Sequence, residues 1–205
     1  MRVKTDARRE AILEIATQLF REVGYERASM AIISTRVGGS KATLYNYFKS
    51  KEELFAAAML GALEAQGQSI IDMLDGESDD LETVLCGFGE AYLRLVTDPE
   101  TLAITRTAIS ESANGTLGAT LYEHGPRRAW VAVADYVERL QKRGLIGTGD
   151  PSLIAAQFKG LLEADFLEPL LWGATTVRSV TCATASAVAT FMKAFATNVK
   201  KAIDH

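Results

Sequence analysis

Residues 37–40 read Val-Gly-Gly-Ser and divide two short segments that cannot form one continuous helix. Adjacent glycines let the chain turn tightly and leave a helix in a left-handed conformation that other residues resist. Ser29 heads the segment before the turn and Ser40 the segment after it, each placed to accept a backbone N–H from an opening helical turn. The spacing predicts a helix ending near Arg36, a four-residue turn, and a helix over about Lys41–Phe48. Ser50-Lys51-Glu52-Glu53 matches a capping box and opens a longer helix to about Leu74. Upstream, Ile12, Ile15, Ala16, Leu19, Phe20 and Val23 recur at helical spacing over about 6–23, with Gly24 as the stop.

The rest of the chain carries the same punctuation. Residues 75–80 are a polar loop before a helix over about 79–97. Asp98-Pro99 and Asp150-Pro151 each combine an N-cap with proline at the first helical position. Asn114-Gly115 ends the helix that starts at 98, and a short helix over about 116–123 leads to His124-Gly125-Pro126. A helix then runs to about Arg143 and stops at Gly144, and Ser179 opens a last helix that continues to the C-terminus. Pro169 should kink or end the helix that begins at 151. β-branched alternation is nearly absent and prolines number only four, so the chain reads as all-α with about nine helices. The expected division is an N-terminal three-helix domain over 1–51, joined by the long fourth helix to a larger helical domain over 52–205.

Charge is distributed unevenly. Residues 1–51 hold ten Lys/Arg against five Asp/Glu, a net +5, while the remainder carries −9 of the overall −4. A basic head on an acidic body suits a protein whose head alone meets a polyanion. Cys86 and Cys182 have neither metal-site nor redox spacing and read as reduced thiols. The N-terminus MRVKTDARRE lacks the apolar stretch of a secretory signal, and the apolar run 153–172 is interrupted by Lys159, Glu163, Asp165 and Glu168, against a membrane span. The expected location is cytoplasmic. With histidine only at His124 and His205, no metal cluster is visible, and His124 reads as a turn cap. No nucleophile–base set or phosphate-cradling loop stands out, so neither catalysis nor a cofactor is expected.

Two short helices around a glycine turn form a helix-turn-helix, in which the second helix fits the major groove of DNA and the first braces it. Leu44 and Phe48 lie four apart and can anchor that second helix. Lys41, Ala42, Thr43, Tyr45, Asn46 and Tyr47 then remain for the groove and its walls. Lys41 can donate to guanine or phosphate, Asn46 can pair with an adenine edge, and the methyls of Ala42 and Thr43 can meet a thymine methyl. Tyrosine hydroxyls and lysines hold phosphates, which sets register without reading sequence. The alternative from spacing alone is a structural hairpin whose tyrosines lie on the first or fourth helix.

Residues 10–55 resemble the N-terminal DNA-binding domain of the TetR family of bacterial transcriptional regulators. The resemblance rests on the apolar pattern of the first helix, Gly24-Tyr25, Ser29-Met30, Ile33, Gly38, Ser40-Lys41, Thr43-Leu44-Tyr45, Tyr47-Phe48 and Ser50-Lys51-Glu52. It implies that Ser29 touches phosphate, that Lys41, Ala42, Thr43 and Asn46 face bases, and that Tyr45, Tyr47 and Lys51 hold the DNA backbone. Two positions depart from the pattern: Ser34 replaces a common alanine, and Gly39 replaces an apolar residue that would pin the two helices together. The missing side chain at 39 should cost on the order of 1 kcal/mol or more.

Residues 98–112, 121–130 and 150–162 resemble the C-terminal body of the AefR-like group in this family, with a departure at Asn114-Gly115-Thr116. The resemblance implies a homodimer that binds a double-stranded DNA operator, with a small-molecule effector held in the helical body. Met59, Leu63, Phe88, Tyr92, Arg106, Ile109, Tyr122 and Trp130 are the pocket candidates, each also readable as core. Arg106 would hold an anionic group or pair with an acid such as Glu111. The last two helices independently suit subunit pairing: the helix from 151 is apolar apart from Lys159 and Glu163, and the last is rich in small residues. The expected interface residues are Phe158, Leu162, Asp165, Phe166, Ala183, Ala187, Phe191 and Phe195, with Asp165 buried against a polar partner or facing a ligand. The resulting expectation is a ligand-responsive repressor. Its rivals are a DNA-binding regulator without a small ligand and, from another class, an enzyme built on the helical cavity.

Overall fold

The computed structural model describes residues 2–74, 77–113 and 115–197, with side chains from residue 6 onward. Among them the chain is helical throughout: α1 Arg2–Arg27, α2 Met30–Val37, α3 Lys41–Tyr47, α4 Lys51–Ile71, α5 Leu81–Val96, α6 Pro99–Glu111 and α7 Leu117–Tyr122. A π-helical turn over Glu123–Arg127 leads into α8 Arg128–Lys142, followed by α9 Pro151–Glu163, α10 Leu167–Leu171 and α11 Val180–Phe195. The chain forms two compact units, Met1–Ala65 with Ala103–Gly125, and Gln66–Leu102 with Pro126–His205. The boundary expected between residues 51 and 52 falls inside the first unit, at the start of α4.

In the first unit the predicted spacing places Ile12, Ala16, Leu19 and Phe20 of α1 in a core with Ile33, Leu44, Phe48, Leu54 and Phe55. Ile104, Leu117 and Leu121 from α6 and α7 complete it, so sequence-distant helices help to hold the helix-turn-helix. Phe55 sets its ring edge against Phe20 and Tyr25, both at 4.9 Å. Helix α1 extends beyond the expected range: Gly24 departs from helical geometry at φ 78°, ψ 165°, and one more turn follows to Arg27.

In the second unit α5, α8, α9 and α11 enclose a core that includes Leu85, Phe88, Leu93, Tyr136, Leu140, Phe158, Leu162 and Phe191. Asp80, Asp150 and Ser179 accept backbone N–H bonds at the starts of α5, α9 and α11. The last helix does not continue to the C-terminus among the described residues. It stops at Phe195, and Ala196 makes an isolated antiparallel bridge to Ile146. His205 and Asn114 lie outside the described residues.

Two expectations about α9 need correction. The helix ends at Glu163, before Pro169, and the chain turns through Asp165 at φ 53°. Asp165 is exposed rather than buried, because the turn breaks helical register and directs Phe166 into the core. Phe158, Leu162, Phe166, Ala183, Ala187 and Phe191 are likewise at most 6% exposed within one chain. They serve the chain's own core. Phe195 is half-buried and packs on Phe191 at 4.9 Å. The outward face of α11 carries Cys182, Ala185, Ser186 and Ala189.

Candidate nucleic-acid interface

Helix α2 begins at Ser29, whose hydroxyl accepts the Ile32 N–H at 3.3 Å. It ends at Gly38, left-handed at φ 68°, whose N–H reaches the Ser34 and Thr35 carbonyls. The Gly39 N–H also bonds the Ser34 carbonyl, at 3.1 Å. These bonds satisfy carbonyls that the end of a helix leaves open. Ser40 then caps α3 by accepting the Thr43 N–H at 3.1 Å, and its hydroxyl also bonds the Thr43 hydroxyl at 2.9 Å.

Leu44 and Phe48 are 2% and 1% exposed, fixing the inward face of α3. Lys41, Ala42, Tyr45 and Asn46 are exposed, while Thr43 and Tyr47 are half-buried. A seven-residue helix thus carries its polar and aromatic side chains outward on an apolar anchor. Tyr45 is 48% exposed, which leaves its ring and hydroxyl open to a partner. The Arg9 guanidinium lies 5.2 Å from the Phe48 ring and ties α1 to the end of α3.

The start of α4 is reinforced twice. The Glu53 N–H donates to Ser50 Oγ at 3.1 Å, and the Glu53 carboxylate accepts the Lys49 N–H at 2.7 Å. The reciprocal half of the box therefore closes on Lys49, one residue before the serine. Tyr25 Oη donates to Glu52 Oε1 at 3.1 Å, while Lys51 Nζ donates to the Tyr25 carbonyl at 3.2 Å. The same ammonium lies 3.9 Å from the Tyr25 ring centroid. Burial, followed by the Glu52 charge, pushes the Tyr25 hydroxyl well above the ordinary tyrosine range. Hydrogen bonding from Ser50 lowers the Glu52 carboxyl. Lys51 thus has a structural partner in addition to its predicted phosphate. Sequence reasoning missed this role, and also missed Arg8 and Arg9, whose only visible signal was the basic run in the head.

The eight pocket candidates fall into two groups. In the second unit the Tyr92 ring lies 5.1 Å from Trp130 and 6.1 Å from Phe88. Tyr92 Oη donates to Glu163, which also takes Lys159 Nζ at 2.7 Å. Burial, then Glu163, raises the Tyr92 hydroxyl well above the ordinary tyrosine range. In the first unit Met59 is core, Leu63 is half-buried, and Arg106, Ile109 and Tyr122 are exposed. His124 is exposed within the π turn. Among the described residues no three His, Cys, Asp or Glu side chains are grouped to hold a metal ion. Helix α4 is the one described helix long and apolar enough to cross a membrane; Leu54, Phe55, Ala56, Ala58, Met59 and Ile70 on it are buried in the two cores.

Known proteins match both parts of the chain. Residues 12–58 match the model for bacterial regulatory proteins of the tetR family, and residues 83–197 match the C-terminal domain of AefR-like transcriptional repressors. A TetR-family regulator structure from Mesorhizobium loti superposes with a TM-score of 0.83 at 27% identity, covering 94% of this chain and 98% of that one. The flavonoid-responsive regulator FrrA superposes at 0.74 with 26% identity, covering 94% and 99%. The nicotine-responsive transcriptional repressor HdnoR of Paenarthrobacter nicotinovorans is 33% identical over 79 residues, 38% of this chain and 41% of that protein. The matched stretch spans between 25% and 45% of the length of the curated relatives.

Proposed function

The chain belongs to the TetR family of bacterial DNA-binding transcriptional regulators, and from that premise we propose a homodimeric repressor that a small molecule releases from a palindromic operator. The observation that carries the DNA half is α3: Lys41, Ala42, Tyr45 and Asn46 stand exposed on a helix pinned by Leu44 and Phe48. In this reading α3 enters the major groove. Lys41, Ala42, Thr43 and Asn46 meet base edges, while Ser29, Tyr45, Tyr47 and Lys51 hold phosphates. Lys51 can do so while tied to Tyr25, because an ammonium has three donors.

Pairing of two chains is supported by the outer faces of α9 and α11. Leu153, Ala156 and Gly160 are exposed on the first, and Cys182, Ala185, Ser186 and Ala189 on the second. Small residues let helices approach closely, and Trp172, 83% exposed, adds apolar area that water would otherwise face. A two-fold pair would present its reading heads to successive major-groove faces about 34 Å apart.

Repression is supported by the AefR-like repressor match and by the relative HdnoR, and ligand response by HdnoR and FrrA. Phe88, Tyr92 and Trp130 are the ligand-facing candidates that lie together. A ligand that binds one conformation of the body better than another shifts the population of DNA-competent dimers by that difference in affinity. The second reading, a regulator without a small ligand, is favoured by the way these rings pack on one another and on Phe158. Trp130 fluorescence across a compound panel separates the two readings.

The decisive experiment is selection of bound duplexes from a random DNA pool at physiological salt. Recovery of two inverted half-sites about one helical turn apart is the expected result. A pool no more enriched than that of the Lys41→Ala variant would overturn the reading.

A further inference from the structure

We propose that Arg8 is a positioning residue of the reading head and stands in for the side chain that Gly39 lacks. This rests on the DNA-binding reading above. A Cβ at Gly39 would lie 3.2 Å from Arg8 Nη2 and 3.9 Å from the Thr43 Cβ. The space beside the turn is therefore occupied by a guanidinium that comes from α1, not from the helix-turn-helix. Arg8 Nη2 also donates to the Val37 carbonyl at 3.2 Å, 29 residues away in sequence.

The Val37 carbonyl belongs to the last turn of α2, where carbonyls have no partner within the helix. The Gly38 and Gly39 N–H groups serve Ser34 and Thr35, and Arg8 serves Val37. A cation is also favourable at a helix C-terminus, where the backbone dipoles leave partial negative charge. The flat guanidinium and its alkyl stem fill volume as well as donate, which an apolar side chain at 39 would do by volume alone. Arg8 is half-buried, consistent with this packing. Its effect on DNA runs through others: the turn it supports sets the start of α3, where Lys41 and Thr43 lie.

A direct phosphate contact would leave a different signature, because each lost phosphate contact lowers the salt slope of binding by about one. Gly39 has no positive φ, so the backbone accepts a side chain there. The test compares full-length wild type, Arg8→Ala, and Arg8→Ala combined with Gly39→Val, each confirmed folded by circular dichroism at the assay temperature. Binding to the selected duplex is measured across a salt series. Amide exchange over residues 38–44 is measured without DNA.

Arg8→Ala should weaken binding by about tenfold, the loss of one well-placed hydrogen bond, with an unchanged salt slope. It should also speed exchange at the turn. The added valine should recover most of both losses. A salt slope reduced by about one with unchanged exchange would make Arg8 a phosphate contact and overturn the proposal. Unchanged affinity and exchange, or a double variant as impaired as Arg8→Ala, would overturn it too. If wild type selects no duplex, the DNA-binding reading fails, and the exchange rates still decide the role of Arg8.

Discussion

Each unit holds a tyrosine whose hydroxyl donates to a glutamate beside a lysine, and the two clusters are connected differently. In the first, Lys51 serves the Tyr25 carbonyl and ring, while Glu52 receives the hydroxyl. In the second, Glu163 receives both the Tyr92 hydroxyl and Lys159. Loss of Glu52 therefore leaves Lys51 with partners, whereas loss of Glu163 takes a partner from Tyr92 and Lys159 at once. Identical residue types confer different sensitivities, because a half-satisfied buried polar group costs more than the bond it lost.

The largest effects should come from two close helix crossings, one in each unit. A Cβ at Gly118 would lie 2.6 Å from the Ala108 carbonyl oxygen, part of a backbone that cannot step aside. At Gly89 it would meet Thr184 Cγ2 at 2.8 Å and Leu162 Cδ2 at 2.9 Å, which are side-chain atoms. Denaturant melts should show Gly118→Ala destabilising by about 2 kcal/mol or more, net of the helix propensity that alanine gains. Gly89→Ala should cost about half that, since rotamers can shift. An equal cost for both would show that backbone and side-chain obstacles are not distinguished here.

Next in size is the pair of glutamates. Glu163→Gln should cost about 1 kcal/mol in the same melts, and Glu52→Gln less. Equal losses would break the contrast between the clusters.

Alkaline titration of tyrosine absorbance comes next. Both hydroxyls are raised in the folded state, Tyr25 and Tyr92 alike by burial first. Above pH 10, the ordinary tyrosine value, the unfolded chain releases protons that the folded chain retains, so stability falls as pH rises. Tyr25 and Tyr92 should ionise above the ordinary tyrosine value. Replacing either by phenylalanine should remove part of the absorbance change at high pH; a high-pH phase unaltered by both replacements would contradict the buried geometry.

The smallest effect concerns Lys51. Lys51→Ala should lower the salt slope of DNA binding by about one and leave sequence preference unchanged. A changed preference would mean that the proposed docking of α3 and α4 is wrong.

The same contrast between local and long-range determinants explains what the sequence made legible. Ser29, Ser40, Ser50, Asp80, Asp150 and Ser179 each bond the backbone within a few residues of themselves. Such caps, with Gly38 between α2 and α3, mark helix boundaries from neighbouring residues alone. Asp165 was not legible as a break, because non-glycine residues enter the left-handed region uncommonly, even though aspartate does so more often than most. The inward face of α11 was also obscure: Ala183 and Ala187 are buried while Ala185 and Ala189 are exposed, and their side chains are identical. Arg8 meets the turn from 29 residues away, and Ile104, Leu117 and Leu121 reach the head's core from still farther along the chain. These meetings belong to tertiary packing, which periodicity does not encode.

In the proposed docking α3 reads bases, and the base preferences of the Asn46→Ala variant test that placement. Selection profiles of wild type and variant, taken at equal salt, should differ at one base pair in each half-site, where discrimination falls by about 1–3 kcal/mol. Preferences elsewhere should persist. A uniform loss across all positions, or an unchanged profile, would contradict the placement of α3 in the major groove.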